Sequence, residues 1–320
     1  MKILITGASG FLGRNLSASL TAQNHRVLGV VRDANLKSEH VQLAHIVDID
    51  GTTDWKQILQ GCEAVIHTAA RVHIQQKANS SQTDRLYHSL NVDGTLNLAR
   101  QAAADGVQRF IFISTIKVNG ERTALDHPFR ATDAPNPQDP YGVSKLKAEI
   151  GLREIAQQTG MKVVIIRPPL IYGPGVKGNF RTLLKFLTHR IPLPFGCITS
   201  NRRSFVGLDN LISLITLCLT HPRAANQTFL VSDNEDVSTA ELLNRLGKAV
   251  NSSPILLPIS LKYLNWIMRL LGKTDAFDKI AGTLQVDISA TCERLEWQPR
   301  VSLNEGLAAI TCEASNEKVL

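Results

Sequence analysis

In DPYGVSKLKAEIG, residues 139–151, Tyr141 is followed four positions later by Lys145. On a helix that spacing puts both side chains on one face, one turn apart. A phenol has an ordinary pKa of ~10 and exchanges protons poorly at neutral pH, but an ammonium beside it favours the phenolate and lowers that value. The pair therefore suits proton transfer to and from a hydroxyl or carbonyl oxygen. Upstream, RFIFIST (109–115) ends in Ser114 and Thr115, and the Thr115 hydroxyl can orient the same oxygen. A Tyr–Lys pair alone is ordinary helix decoration, so its meaning rests on what surrounds it.

The opening stretch ILITGASGFLG (3–13) places Gly7, Gly10 and Gly13 directly after a strand pattern and at the mouth of a helix. Gly7 permits a tight turn, Gly10 lets a pyrophosphate approach the backbone, and Gly13 lets the helix lie against the sheet. The helix N-terminus then offers free N–H groups to phosphate. The spacing is G-x-x-G-x-x-G, and its place in the chain predicts dinucleotide binding. Hydride transfer between a carbinol carbon and a nicotinamide needs these parts and no metal. After the second strand pattern, RVLGVV (26–31), come Arg32 and Asp33. A carboxylate at that tip would accept from the ribose hydroxyls of NAD, whereas an Arg would pair with a 2′-phosphate. The expectation is Arg32 with NADP(H), NAD(H) with Asp33 being possible. Asp48 is placed to touch the adenine, with Ile49 beside it at the cofactor.

These residues need a framework. Val- and Ile-rich runs recur through the first half: KILIT (2–6), RVLGVV, AVIHTA (64–69), RFIFIST and KVVIIRP (162–168). They barely alternate in polarity, as strands buried on both faces of a parallel sheet do. Helical patterns such as VDGTLNLARQAAADG (92–106) lie between them. This rhythm predicts an α/β fold with a Rossmann-type doubly wound parallel sheet. After residue 168 the texture changes. Gly and Pro crowd PPLIYGPGVKG (168–178), and helical patterns return at 180–190, 209–221, 238–250 and 260–272. A last strand is expected at LQVD (284–287) and a helix over 304–310. The expected division is a nucleotide-binding domain over 1–168, joined by segments near 205–235, and a smaller mixed α/β substrate domain over 169–320.

Composition narrows the function classes. The 320 residues are 43% hydrophobic, enough for a large core. The net charge of +7, from 35 basic and 28 acidic residues, is spread without a polybasic run. That fits anionic small molecules better than nucleic acid. The five cysteines form no C-x-x-C pair and the nine histidines no ligand pattern, so neither a metal site nor a disulfide framework is expected. MKILITGASG lacks the pattern of a signal peptide, and LISLITLCL (211–219) is well short of the ~20 residues of a membrane span. A cytoplasmic protein without a transmembrane segment is expected.

TGASGFLG (6–13), N-x-x-G-T (91–95), the strand ending in Thr115, YGVSK (141–145) and RPPLIYGPG (167–175) together resemble the extended short-chain dehydrogenase/reductase family. Within it the chain is similar to nucleotide-sugar 4-epimerases and 4-ketoreductases, over nearly its whole length. The resemblance implies that Thr115, Tyr141 and Lys145 form a Ser/Thr-Tyr-Lys triad and that Asn91 is a structural residue behind the cofactor. It further implies Gly7, Gly10, Phe11, Leu12 and Gly13 around the pyrophosphate, with Ala69 and Pro168 beside the cofactor. In RRSFVGLD (202–209), Arg203 is implied as a contact to a substrate diphosphate, as is Asn179 of KGNF. IAGTLQVD (280–287) departs from the epimerase pattern by lacking an Arg near the uridine-binding turn. With Arg32, that favours NADPH-dependent reduction of the 4-keto group of a nucleotide-linked, notably UDP-linked, 6-deoxyhexose or 2-acetamido-2,6-dideoxyhexose for surface polysaccharide. The alternative is an NAD-dependent UDP-hexose or UDP-N-acetylhexosamine 4-epimerase. The implied partner is a nucleotide-diphosphate sugar, and a homodimer is possible.

Overall fold

The structure, a computed structural model, describes residues 1–38, 41–72, 80–176 and 179–316. The first half builds six parallel strands: β1 (Lys2–Thr6), β2 (Arg26–Val31), β3 (Gln42–His45), β4 (Ala64–His67), β5 (Arg109–Ile113) and β6 (Lys162–Arg167). The second half adds β7 (Leu170–Tyr172), β8 (Arg203–Gly207), β9 (Gln227–Leu230) and β10 (Asp236–Val237). The large sheet has the order β3-β2-β1-β4-β5-β6-β9, so β9 returns from the second half to pair with β6. β4 and β5 are buried at every residue. That is why they read as continuous apolar runs rather than alternating ones.

The helices are α1 (Phe11–Ala22), α2 (Lys56–Leu59), α3 (Ser80–His88), α4 (Thr95–Ala104), α5 (Pro140–Thr159) and α6 (Asn179–Thr188), then α7 (Leu208–Thr220) and α8 (Thr239–Ala249). α9 (Leu261–Leu270), α10 (Thr274–Ala281), α11 (Ser289–Leu295) and α12 (Leu303–Asn316) follow. Leu16 and Leu20 of α1 and Leu211 and Ile215 of α7 cover one face of the sheet through Ile3, Ile5 and Ile66. Leu98 and Ala102 of α4 and Ala148 and Leu152 of α5 cover the other through Leu4, Val65 and Phe110. This is a Rossmann-type doubly wound sheet. The strand order reverses at β1 and β4, and ligands of such folds bind outside the carboxyl ends of the strands at that point.

A smaller mixed sheet, β10-β8-β7, pairs β8 parallel to β7 and antiparallel to β10. Tyr172, Phe180, Phe205, Leu243 and Leu307 form its core. LQVD, expected as a strand, instead runs extended along this sheet. It makes single parallel bridges, Leu284 to Arg203 and Val286 to Phe129. Its Gln285 side chain is spent on the Asp236 carboxylate at 2.9 Å and the Asp126 N–H at 2.8 Å, so the stretch stitches two loops together and extends no ladder. No helix among the described residues is long and apolar enough to cross a membrane.

Candidate active site

The glycine-rich turn closes as its sequence predicts. Gly7 has φ +69°, in the left-handed region, and a Cβ there would lie 2.9 Å from the Ala69 backbone. The N–H of Gly10 donates to the Gly7 carbonyl at 2.9 Å, and Gly10 then leads into α1 with no side chain capping the helix. The first-turn N–H groups therefore remain for an anion. A Cβ on Gly13 would stand 2.2 Å from the Gly7 carbonyl oxygen. Gly13→Ala must push α1 off the turn, so we expect it to lower stability by about 1–3 kcal/mol, the usual cost of overpacking, and to weaken dinucleotide binding with it. A dinucleotide titration and a denaturant midpoint both at wild-type values would contradict this.

A cleft of about 220 Å³ opens above this turn. Gly7, Gly10, Phe11, Leu12 and Gly13 line its floor, and Arg32, Asp48, Ile49 and Ala69 line its sides. The sequence named all nine. It did not name Ser9, Ile46, Thr68, Ala70 and Leu90, which share the wall. Thr68 and Ala70 flank Ala69 in HTAA, a signal that was present. Arg32 is exposed at the tip of β2, whereas the carboxylate of Asp33 accepts the N–H of Asn35 at 2.9 Å and turns back onto its own loop. The uncapped helix end and the space that only glycine leaves fit a dinucleotide pyrophosphate.

Helix α5 carries the Tyr–Lys pair because its start is well specified. Asp139 caps it, accepting the Gly142 N–H at 2.6 Å, and Pro140 occupies the first turn, where no N–H is needed. Gly160, at φ +77°, ends it. Asp139 is fixed in turn by an ion pair with Lys117. Tyr141 thus sits in the first turn, its ring 6.2 Å from that of Tyr87. Lys145 lies fully buried one turn on, donating to the Ile113 carbonyl at 2.7 Å with its ammonium 4.3 Å from the centre of the Phe112 ring. Thr115 stands two residues past the end of β5 and accepts the Lys117 N–H at 3.4 Å. Pro168 lies just past β6, and its carbonyl accepts the Ile116 N–H at 2.9 Å beside Thr115.

The electrostatics differ from the sequence expectation. The Tyr141 phenol is held above its ordinary pKa, first by burial and then by the negative charge of Asp139 and the neighbouring Tyr87. Lys145 does not offset this, because burial brings its own pKa down to about 7 and its ammonium is engaged by Ile113. The phenol is therefore kept in its proton-bearing form.

Asn91, named as structural, sits in a π-helical turn spanning Ser89–Gly94. Its side chain accepts the Arg71 N–H at 2.9 Å and donates to the Arg71 carbonyl at 3.1 Å and the Ser144 hydroxyl at 3.0 Å. It thereby ties the loop after β4 to the turn of α5 between Tyr141 and Lys145. A second tie was not legible in the sequence. Glu149 of α5 receives Arg167 bidentately, at 2.9 and 2.5 Å, and the Ser114 hydroxyl at 2.6 Å. Both charged groups are buried.

His67 is buried between the Thr6 and Thr95 hydroxyls, at 2.7 and 3.0 Å. Burial, and secondarily the Lys145 charge, lowers its pKa to about 3 from 6.5. The unfolded chain takes up this proton as pH falls through 6.5 and the folded chain does not until about 3, so stability falls with pH in that window. One such group contributes a slope of about 1.4 kcal/mol per pH unit. Urea unfolding of His67→Asn against wild type from pH 7 to 4 should show that slope lost in the variant, and equal slopes would contradict it.

Of the residues implied for the substrate, Arg203 opens β8 in the smaller sheet. Its guanidinium donates to the Gly282 carbonyl at 3.0 Å, and burial depresses its pKa. It thus meets the IAGTLQVD stretch. Asn179 is the first residue of α6, and its side chain lies outside the described residues.

Fold, cleft and Tyr–Lys helix together define a dinucleotide-binding α/β enzyme. Residues 3–232 match the NAD dependent epimerase/dehydratase family, and the chain belongs to it. A UDP-glucose 4-epimerase of Vibrio cholerae is 46% identical over 305 residues, 95% of this chain and 92% of that protein. Among solved structures, a UDP-glucuronic acid 4-epimerase of Bacillus cereus in complex with NAD superposes with a TM-score of 0.78 at 24% identity, covering 99% of each chain. A UDP-glucose 4-epimerase of Thermotoga maritima with UDP-glucose gives 0.78 at 22% identity over 99% of this chain and 100% of that one.

Proposed function

We propose that this enzyme interconverts UDP-hexoses at C4, using NAD. The observation that carries the reading is the Tyr141–Lys145 pair on α5, joined through Ser144 to Asn91 next to Leu90 of the cleft wall, in a chain 46% identical to a protein named UDP-glucose 4-epimerase. The reductase favoured by the sequence alone has less support, since the 46% identical relative and the two structural neighbours described above are named as UDP-sugar 4-epimerases. Gly7, Gly10 and Gly13 with the α1 N-terminus would hold the pyrophosphate, and Asp48 and Ile49 the adenosine end. The nicotinamide, when bound, supplies a hydride acceptor that can also give the hydride back.

The chain's own residues handle the proton and the geometry. Tyr141 takes the proton of the sugar 4-hydroxyl as the C4 hydride leaves and returns it to the 4-oxygen when hydride arrives on the other face. The Thr115 hydroxyl orients that oxygen. To accept that proton Tyr141 must first be a phenolate, which the Lys145 charge would favour once its ammonium leaves the Ile113 carbonyl and turns to the phenol oxygen. Arg203 and Asn179 would hold the substrate diphosphate while the hexose turns.

Incubation with UDP-glucose, without added nicotinamide cofactor, tests this. NMR should show UDP-galactose at equilibrium with no net change at 340 nm. Failure to interconvert the epimers, with one NADPH consumed per 4-keto-6-deoxy sugar reduced, would establish the reductase instead. That second reading rests on Arg32, which lines the cleft where a 2′-phosphate would lie. Arg32→Ala should weaken NADPH by about 10-fold or more, the scale of a lost charge-assisted hydrogen bond, and NADH much less. Calorimetric titration of both cofactors checks this, and equal losses would place Arg32 away from the 2′ position.

A further inference from the structure

Helix α9 and the stretch before it take no part in the site above. Leu264 anchors the helix inward at 5% exposure, while Tyr263, Trp266 and Leu270 are 55%, 54% and 68% exposed. Their i, i+3, i+7 spacing sets them in one outward stripe, and the Tyr263 and Trp266 rings stack at 5.7 Å. Leu257 and Leu261 extend the exposed apolar surface at the start of the helix.

Charge identifies what covers it. Residues 251–274 contain Lys262, Arg269 and Lys273 and no Asp or Glu. Segment 185–197 is joined to this stretch by the Leu193 N–H donating to the Ile255 carbonyl at 2.9 Å and the Leu257 N–H donating to the Leu193 carbonyl at 2.8 Å. It adds exposed Lys185, His189 and Arg190, again with no acid. Acidic residues resume on α10 with Asp275 and Asp278, the latter paired with Arg122. The Trp–Tyr–Leu stripe of α9, bordered by cations and carrying no carboxylate of its own helix, complements an anionic lipid surface. The rings suit the boundary between headgroups and acyl chains, and the cations suit the phosphates.

We propose that α9 docks this enzyme peripherally on anionic bilayers. The proposal is independent of the reaction at Tyr141. The test is flotation of the full chain with vesicles of phosphatidylcholine and phosphatidylglycerol at 3:1, against phosphatidylcholine alone. Trp55 and Trp297 are buried, so acrylamide quenching reports Trp266. The protein should float with the anionic vesicles and not the neutral ones, with Trp266 emission shifted to the blue and shielded from acrylamide, both effects fading in high salt. Lys262→Ala/Arg269→Ala should lower vesicle affinity roughly 10-fold. Trp266→Ser/Leu270→Ser, which alters only exposed side chains, should abolish flotation with epimerase activity unchanged. Three results would overturn the proposal: no flotation with anionic vesicles, equal flotation of the serine variant, or a concentration-dependent dimer lost in that variant without vesicle binding.

Discussion

Tyr141→Phe is expected to slow turnover by about 10²- to 10⁴-fold, the usual contribution of general acid–base catalysis, while the protein stays folded. The substitution removes one oxygen from a ring packed beside Tyr87 and leaves the Asp139 cap, Pro140 and the Lys145 bond to Ile113 intact. Dinucleotide affinity should therefore hold within a few-fold, and the loss should fall on kcat rather than KM. Because burial keeps the wild-type phenol protonated, wild-type turnover should rise with pH, and the remaining activity of the variant should lack that rise. Turnover within about threefold of wild type would remove Tyr141 from the mechanism.

The second large effect is structural. Glu149 and Arg167 are 0% and 2% exposed and pair through two hydrogen bonds. Glu149→Leu leaves the guanidinium buried with only the Asn119 side-chain oxygen, at 2.8 Å, as a strong acceptor. Breaking one side of a buried pair costs about 3–5 kcal/mol, whereas replacing both sides by apolar residues is often close to neutral. Urea unfolding should show Glu149→Leu strongly destabilised and Glu149→Leu/Arg167→Met recovering most of the loss. A single variant within about 1 kcal/mol of wild type would show that the pair does not hold α5 to β6.

These two residues also mark where the sequence stops being informative. The strands were legible because burial on both faces leaves continuous apolar runs, as in RFIFI. The glycine-rich turn was legible because only glycine fits at Gly7 and Gly13, and the Tyr141–Lys145 pair because helical spacing is local. The Glu149–Arg167 pair joins residues 18 apart in chain across two elements, and no local period encodes such a partner. Asn91 drew notice through N-x-x-G-T, yet its partners Arg71 and Ser144 depend on how a π-helical turn faces α5. Spacing alone does not give the state of the Tyr141 phenol. Lys145 is near in sequence, but burial and the Ile113 carbonyl decide what its charge does. LQVD has strand composition, and side-chain bonds from Gln285 draw it into single bridges instead.

The central claim is that hydride leaves and returns to C4 of the same sugar while Tyr141 manages the proton. Turnover of UDP-glucose deuterated at C4 tests it directly. Deuterium should remain on C4 of the UDP-galactose formed, in ordinary water and with excess unlabelled NADH in solution. Loss of the label to solvent, or its replacement from the added NADH, would contradict the account.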